Sequence, residues 1–150
     1  MADDKPIRVL IDNRQGRFEY FLLGTFEAGL VLLGSEVKSL RIGKGALGDA
    51  HVEIGEDGAW IVNFHIAPYT HANRNNHEPM RRRRLLLHQH ELSKLRKGIA
   101  ERGQTVIPTK LYLKGSRVKV EIALAKGKKL HDKRATIKDR DARRELREVR

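Results

Sequence analysis

Hydrophobic and polar positions alternate along two stretches of the chain with the period of two that is typical of β-strands. In residues 50–66, AHVEI is followed by the turn sequence GEDG and then by AWIVNFHI, which predicts a hairpin. Residues 105–125 predict a second hairpin around Gly115–Ser116, a glycine-first pair typical of a type II′ turn. Within that second hairpin, Pro108 predicts a bulge or a sheet edge.

Three shorter β-rich runs precede these hairpins, at residues 7–11, 18–23 and 30–33. The last two flank the sequence GTFEAG, which predicts two strands joined by a six-residue turn. Because the run LVLL at 30–33 is apolar on both sides, we expect that strand to be covered on both faces. The polar residues 13–17 are predicted to form a connection.

Helical patterning marks two short segments in the first 125 residues. The first covers residues 36–41, with Ser35 as the predicted N-cap, and its apolar positions face the core. We therefore expect its charged side chains to face solvent, and these are Glu36, Lys38 and Arg41. The second runs from an N-cap at His88, with Glu91 three residues later, to Gly103. The segment before it, residues 68–84, is predicted to be a long mobile loop that ends in four arginines.

These elements predict a mainly β fold, a small closed antiparallel barrel with two to three short helices. The barrel domain is assigned to residues 1–125 and a tail to residues 126–150. The tail carries eleven Lys or Arg and five Asp or Glu, but few large apolar side chains. Such a segment cannot offset the entropy of folding alone, so we expect it to be disordered when free and helical on a polyanion. A merely solubilising tail is the alternative.

The net charge of the 150 residues is +12, which also indicates a polyanionic partner. RNA and DNA fit this charge; a membrane fits poorly, because no basic segment has a broad apolar face. The chain has no cysteine, which excludes disulfides, thiolate chemistry and cysteine-ligated zinc. With neither a secretory leader nor a spanning segment in the sequence, we expect a cytoplasmic protein.

Candidate catalytic and metal-binding patterns are weak. His88, His90 and Glu91 are neighbours, but positions two apart on a helix point to nearly opposite sides, so no metal site is predicted. Glycines 43, 45 and 48 match G-x-G-x-x-G, but a strand follows them instead of a helix. No serine lies in a G-x-S-x-G elbow. We therefore predict neither an enzyme nor a cofactor.

Basic motifs remain as the candidates for function. Lys110, Tyr112 and Lys114 alternate along a strand and are predicted to form an outward platform for bases and phosphates; an ordinary solvated edge is the alternative. The run Arg81–Arg84 predicts either a clamp on RNA phosphates or a solvated block of charge. Glu36 is an ion-pair partner or an acceptor for a base amino group.

The residues that carry a family resemblance are NR at 13–14, RFEY at 17–20, FEAG at 26–29, GSEVKSLR at 34–41, LLLH at 85–88, EL at 91–92 and GKKLHDKR at 127–134. In this combination the chain closely resembles the small protein B (SmpB) family of SsrA-binding proteins. The resemblance implies an oligonucleotide-binding-type barrel that binds the tRNA-like domain of transfer-messenger RNA (tmRNA). It also implies delivery, with elongation factor Tu, to 70S ribosomes stalled on an mRNA without a stop codon.

The resemblance further implies which residues contact each RNA. The barrel surface for the tRNA-like domain would contain Asn13, Arg14, Glu36, Lys38 and Arg41, to which the strand pattern adds Lys110, Tyr112 and Lys114. The part of the tail that meets the decoding centre would contain Lys128, Lys129, His131, Asp132, Lys133 and Arg134. A helix along the empty mRNA path would place five cations against small-subunit ribosomal RNA, and these are Lys138, Arg140, Arg143, Arg144 and Arg147.

Two rival interpretations use the same features. A general structured-RNA or ribosomal-RNA-binding protein would need the basic surfaces without tmRNA. A metal-assisted nuclease would need the histidines and acids to converge. Salt dependence of binding does not distinguish the RNA-binding versions, because each depends on phosphate contacts.

Overall fold

A computed structural model describes residues 6–70, 76–101 and 103–148 of the chain. Its strands are β1 (Ile7–Asp12), β2 (Tyr20–Leu30), β3 (Gly45–Ala46), β4 (His51–Gly55), β5 (Gly58–Val62), β6 (His65–Ile66), β7 (Arg83–Leu86), β8 (Gln104–Lys114) and β9 (Arg117–Gly127). Its helices are α1 (Arg14–Glu19), α2 (Gly34–Arg41), α3 (Gln89–Ala100) and α4 (Leu130–Glu148).

Seven strands form one antiparallel sheet in the order β1-β8-β9-β2-β7-β5-β4, and β3 pairs with β6 separately. The mainly β prediction is confirmed. The sheet is curled, as the contact between β4 and β8 shows. Over the described residues, however, its edge strands β1 and β4 do not pair with each other. The closure of the predicted barrel is therefore not shown: the described residues form a curled, open sheet.

The core lies inside the curl of the sheet. Ile61 of β5, Phe64 just after it, Leu111 of β8 and Ile122 of β9 are all fully buried. Helix α3 closes one side of this core and lies so near β9 that a Cβ at Gly98 would overlap the Leu124 side chain. The missing side chain at this position is what permits the close packing of helix on sheet.

Strand β2 is one continuous strand where the sequence predicted two strands and a turn. It pairs with β9 from Tyr20 opposite Gly127 to Gly29 opposite Lys119, with a single irregularity after Leu22. Pairing with a long partner strand outweighs the turn preference of the glycines, because each ladder hydrogen bond satisfies a backbone group. The run after the strand is also less covered than predicted, since Val31 is 46% exposed.

Both predicted hairpins are confirmed. In the first, Gly55 pairs with Gly58; in the second, Gly115 has a φ of 62°, as a glycine-first turn requires. The bulge predicted at Pro108 is present as a shift of register between Pro108 and Lys110. The strand predicted to run to residue 66 instead breaks at Asn63, whose φ is 58°, and continues as β6.

One segment predicted to be an irregular connection is a helix, and the predicted long loop is shortened by a strand at its end. Residues 14–19 form α1, which Asn13 caps by accepting a hydrogen bond from the Gly16 N–H at 3.0 Å. The predicted loop 68–84 ends inside β7, which begins at Arg83. Residues 71–75 of that loop lie outside the described residues.

The tail contains helix α4, and β9 ends at Gly127, two residues beyond the predicted boundary. The helix agrees with the predicted capacity of the tail for helical structure. Disorder in the free protein stays a prediction.

We expect amide hydrogens of residues 133–144 to exchange at nearly unprotected rates in the free protein, because α4 buries little apolar surface. They should gain protection when the protein binds a ribosome. Hydrogen exchange read by mass spectrometry measures both states, with strand β9 as the protected internal control. Equal protection of α4 and β9 in the free protein would contradict the predicted disorder.

Candidate nucleic-acid interface

The predicted pair Asn13–Arg14 divides into an anchor and an exposed cation. The Asn13 side chain is buried and donates to the Pro108 carbonyl at 2.8 Å while it caps α1. Arg14 follows at once, and its side chain is 88% exposed. Asn13 therefore fixes α1 against β8, and this contact holds Arg14 on the surface.

Glu36 does not face solvent as predicted; it is fully buried. Its Oε2 accepts from Arg83 Nε at 2.5 Å, and its Oε1 accepts from Arg81 Nη2 at 2.6 Å and from the Leu33 N–H at 2.8 Å. The last contact also caps α2, so the N-cap is Leu33 instead of the predicted Ser35. Ser35 is the second residue of α2, and its hydroxyl is hydrogen-bonded to Nδ1 of His77 at 2.9 Å.

The four-arginine run is not a flexible block of charge, because its side chains alternate between two faces. Arg81 and Arg83 point inward to Glu36. Arg82 and Arg84 point outward, and their guanidinium carbons lie 4.9 and 5.8 Å from the ring centre of Trp60. The period of two is that of a β-strand, and β7 pairs Arg84 with Trp60.

The charge state of this buried cluster follows from its contacts. Burial would raise the pKa of the Glu36 carboxyl, but hydrogen bonds from Arg81, Leu33 and Arg83 outweigh it, so the pKa is lowered. Burial lowers the pKa of Arg83 from its ordinary value, and Glu36 opposes that shift. Glu36 therefore stays ionised and holds two cations.

Helix α2 exposes the other two residues predicted on it. Lys38 and Arg41 are both on its solvent side, and the Lys38 ammonium lies 5.6 Å from the Tyr69 ring centre. Because Glu36 ties α2 to Arg83, the position of these two cations depends on the buried cluster. Glu36 is thus a positioning residue in this structure, since no part of it is exposed for contact with RNA.

The predicted aromatic platform on β8 is partly wrong. Tyr112 is only 5% exposed, and its hydroxyl donates to Glu27. Lys114 Nζ lies 3.3 Å from Glu27 Oε1, and Lys110 Nζ lies 5.7 Å from the Tyr112 ring centre. Burial, then the hydrogen bond to Glu27, raises the pKa of Tyr112. The ring is consequently covered and is not open for stacking with a base.

A groove that the sequence did not predict lies beside the strand pair that contains Tyr112 and Lys119. Pairing places Lys119 opposite Tyr112 on one side and Gly29 on the other, and Gly29 opposite Leu86. The resulting groove has a volume of about 350 Å³, an apolar floor and a cationic rim at Arg117 and Lys119. Only strand pairing across four strands brings these residues together, so local sequence carries no signal for it.

The beginning of the tail is fixed by side-chain contacts. Lys128 Nζ lies 5.2 Å from the Phe21 ring centre and donates to Thr136 Oγ1 at 3.0 Å. Asp132 accepts from the Lys129 N–H at 3.2 Å. Lys128, Asp132 and Lys133 are half-buried, whereas the remaining residues predicted for the decoding centre are exposed, namely Lys129, His131 and Arg134.

Further along α4, the predicted cations are on the surface, and these are Lys138, Arg140, Arg143 and Arg144. Arg143 Nη2 pairs with Asp139 Oδ2 at 3.1 Å. Arg140 lies over Phe18 of α1, with 5.6 Å between its guanidinium carbon and the ring centre. Arg147 belongs to the same helix, but its side chain is outside the described residues.

The histidines do not form a metal centre in the part of the chain that the structure describes, where no three potential ligands converge. The expectation that His88 and His90 point apart is nevertheless wrong, since their rings stack at 5.6 Å. His88 precedes α3 and has an extended backbone, so helical spacing does not apply to the pair.

A curled antiparallel sheet with exposed cations, followed by a basic helix, defines the class of nucleic-acid-binding β proteins. No helix among the described residues is long and apolar enough to cross a membrane.

Comparison with known proteins gives the family. The family model for the SmpB protein matches residues 10–150. The SsrA-binding protein of Rhizorhabdus wittichii is 52% identical over 145 residues, which cover 96% of this chain and 91% of that protein. The SsrA-binding protein of Thermosynechococcus vestitus is 52% identical over 141 residues, 93% of each chain. The chain therefore belongs to the SmpB family, which confirms the resemblance.

A solved structure agrees with this assignment. It is described as "tmRNA-SmpB: a journey to the center of the bacterial ribosome", and its matching chain has a TM-score of 0.69 and 39% identity to this one. The match covers 82% of this chain and 87% of that chain.

We expect Glu36→Gln to lower the free energy of unfolding by about 3–5 kcal/mol, because it leaves the buried Arg83 without its counter-charge. Urea unfolding measures the change. Glu53→Gln is the matched control; its pair with Arg82 is 3.7 Å long and exposed, so the loss should be below about 1 kcal/mol. Equal losses in the two variants would contradict the assigned role of Glu36.

The effect of Glu36→Gln should also depend on pH. Because the folded-state pKa of Glu36 is lowered, its contribution is complete above its unfolded pKa of about 4.3 and is lost as the pH falls through the folded-state pKa. The difference in urea midpoint between wild type and variant should therefore shrink on acidification. A difference that stays constant down to the acid limit of folding would show that the charge of Glu36 is unimportant.

Proposed function

We propose that this chain is a tmRNA-binding protein of trans-translation. It binds the tRNA-like domain of tmRNA and delivers it to ribosomes that have stalled. Nascent peptides are then tagged for degradation and the ribosomes are released. The function is one of binding, and the chemistry of peptide transfer belongs to the ribosome.

Membership of the SmpB family over residues 10–150 is the observation that carries this proposal. Its relatives are SsrA-binding proteins, and the solved structure that it resembles is described as tmRNA-SmpB in the bacterial ribosome. The net charge of +12 supports an RNA partner independently. The curled sheet supports an oligonucleotide-binding-type fold, whose barrel is partly open.

The proposed surface for the tRNA-like domain contains the exposed cations of α1 and α2, namely Arg14, Lys38 and Arg41. Asn13 and Glu36 act through them, because both are buried and fix the helices that carry these cations. On β8, Lys110 is the partly exposed cation, while Tyr112 and Lys114 are held against Glu27.

The tail is the proposed ribosome-binding element. Its exposed residues at 129–134 would meet the decoding centre, where the imidazole of His131 offers a π face to a base. The cations along α4 would follow the empty mRNA path and contact small-subunit ribosomal RNA through its backbone. Elongation factor Tu with GTP would accompany the complex through tmRNA, and we infer a cytoplasmic location from this role.

Recovery of RNA from cell extract tests the proposal. Affinity-tagged protein should enrich tmRNA well above its share of total RNA, as measured by sequencing of the bound RNA. Recovery of ribosomal RNA alone would favour the rival interpretation, a general structured-RNA-binding protein. A basic protein without structured-RNA specificity, at equal charge, serves as the control for adsorption of polyanions.

Removal of residues 126–150 should separate two activities. Binding to the tRNA-like domain should weaken by less than about tenfold, because the sheet loses only the last two residues of β9 and keeps its exposed cations. Tagging on ribosomes stalled in vitro should fall to background, because the mRNA path stays empty. Gel-shift titration and a tagging assay measure these outcomes, and a parallel loss of both activities would contradict the division of labour between sheet and tail.

A further inference from the structure

We propose that α1 and α4 together form a binding site for RNA phosphates that neither the folded sheet nor the tail has alone. The site is a cleft of about 540 Å³ between the two helices. Its lining residues are Arg14, Gln15, Arg17, Phe18, Arg140 and Arg144. The inference rests on the proposed function, and it adds a specific site where sheet and tail act jointly.

The geometry joins two parts of the chain that are far apart in sequence. Arg140 lies over the Phe18 ring at 5.6 Å, which is the range of a cation–π contact. This contact holds one face of the guanidinium and leaves its N–H edge free of that ring. Arg144 follows one turn later on the same helix face, so both tail arginines line the cleft.

The net positive charge of the cleft favours the binding of an anion. Four of its six lining residues are arginines, and none of the six is acidic. Asp12 is the nearby acid on the α1 side, 2.7 Å from Arg17 and 3.9 Å from Arg14. On the tail side, Asp139 is engaged with Arg143 instead. Docking of α4 on α1 therefore brings like charges together, and a bound anion would remove the repulsion.

The consecutive phosphodiester groups of a nucleic-acid strand match the four arginines of this site better than a single carboxylate does. Guanidinium groups recognise phosphate through paired N–H donors, and several arginines around one cleft match a chain of phosphates. A planar base would find the Phe18 ring already covered by Arg140. The cleft therefore takes the backbone of an RNA strand without reading its sequence.

Tail docking measured in solution tests the site directly. The chain has no native cysteine, so nitroxide labels can be placed specifically by Thr25→Cys and Ala142→Cys, two exposed positions outside the cleft. Electron–electron double resonance then reports the distance between sheet and tail. Sodium pyrophosphate should narrow the distribution of distances between the two labels and shift it to shorter distances. Sodium chloride of equal ionic strength should do neither. An equal response to both salts would reduce the effect to charge screening and overturn the proposal.

Two sets of variants make the test specific. Arg140→Gln with Arg144→Gln should abolish the response to pyrophosphate, while the matched control, Lys94→Gln with Lys97→Gln, removes two exposed cations from α3, outside the cleft, and should keep it. Arg140→Glu should dock the tail without added anion, since it places a carboxylate beside the α1 arginines. A response that survives the loss of Arg140 and Arg144, or an undocked Arg140→Glu tail, would overturn the proposal.

Binding assays then show which RNA occupies the cleft. The Arg140/Arg144 double variant should bind about fivefold more weakly than the control variant, with a salt slope smaller by about 1–2, either to the isolated tRNA-like domain or to stalled ribosomes. Unchanged affinity in both arms would overturn the assignment to RNA. Failure of the wild type to bind tmRNA would overturn the proposed function instead, and the pyrophosphate result would stand by itself.

Discussion

The structure depends on one buried ion pair, between Glu36 of α2 and Arg83 of β7. Both side chains are fully buried, and Arg83 also donates to the backbone carbonyls of Phe64 and Pro79. These contacts join α2, the sheet and the segment that precedes β7. Replacement of such a pair by apolar side chains is often neutral in stability, so its value here lies in specificity. A slip of β7 by one residue would still offer an arginine to Glu36, but it would turn the buried Leu85 to the solvent face.

The same pair determines where the other arginines go. Once Arg83 points inward, the alternation of a strand sends Arg82 and Arg84 to the outer face, where both lie over Trp60. The cation–π contacts cover a large aromatic ring that would otherwise meet water. The four arginines thus have two roles. Arg81 and Arg83 pair with the buried Glu36, and Arg82 and Arg84 lie on the surface over Trp60. The Glu36–Arg83 pair also fixes α2 and therefore the position of its exposed cations, Lys38 and Arg41.

Helix α4 follows a sheet that is complete without it. Strand β9 ends at Gly127, and the contact of Lys128 with Phe21 turns the chain towards α1. Helix α4 buries little apolar surface, and its charges face those of α1. Packing of apolar side chains therefore contributes little to its position. Under the proposed function, a single chain would combine an RNA-binding sheet with a tail whose helix is stabilised by its partner.

The sequence alone determined the features that depend on neighbouring residues. These are both hairpins, the bulge at Pro108, helix α3, the basic character of the tail and the motifs of the family. Tertiary structure alone decided the open curl of the sheet, the continuity of β2, and the burial of Glu36 and Tyr112. The physical reason is distance along the chain: Glu36 meets Arg83 across 47 positions, and Tyr112 meets Glu27 across 85. From the sequence alone, a charged or hydroxylated side chain is predicted to be exposed, because burial of an unpaired polar group has a large free-energy cost. Its burial can be predicted only when its partner is known.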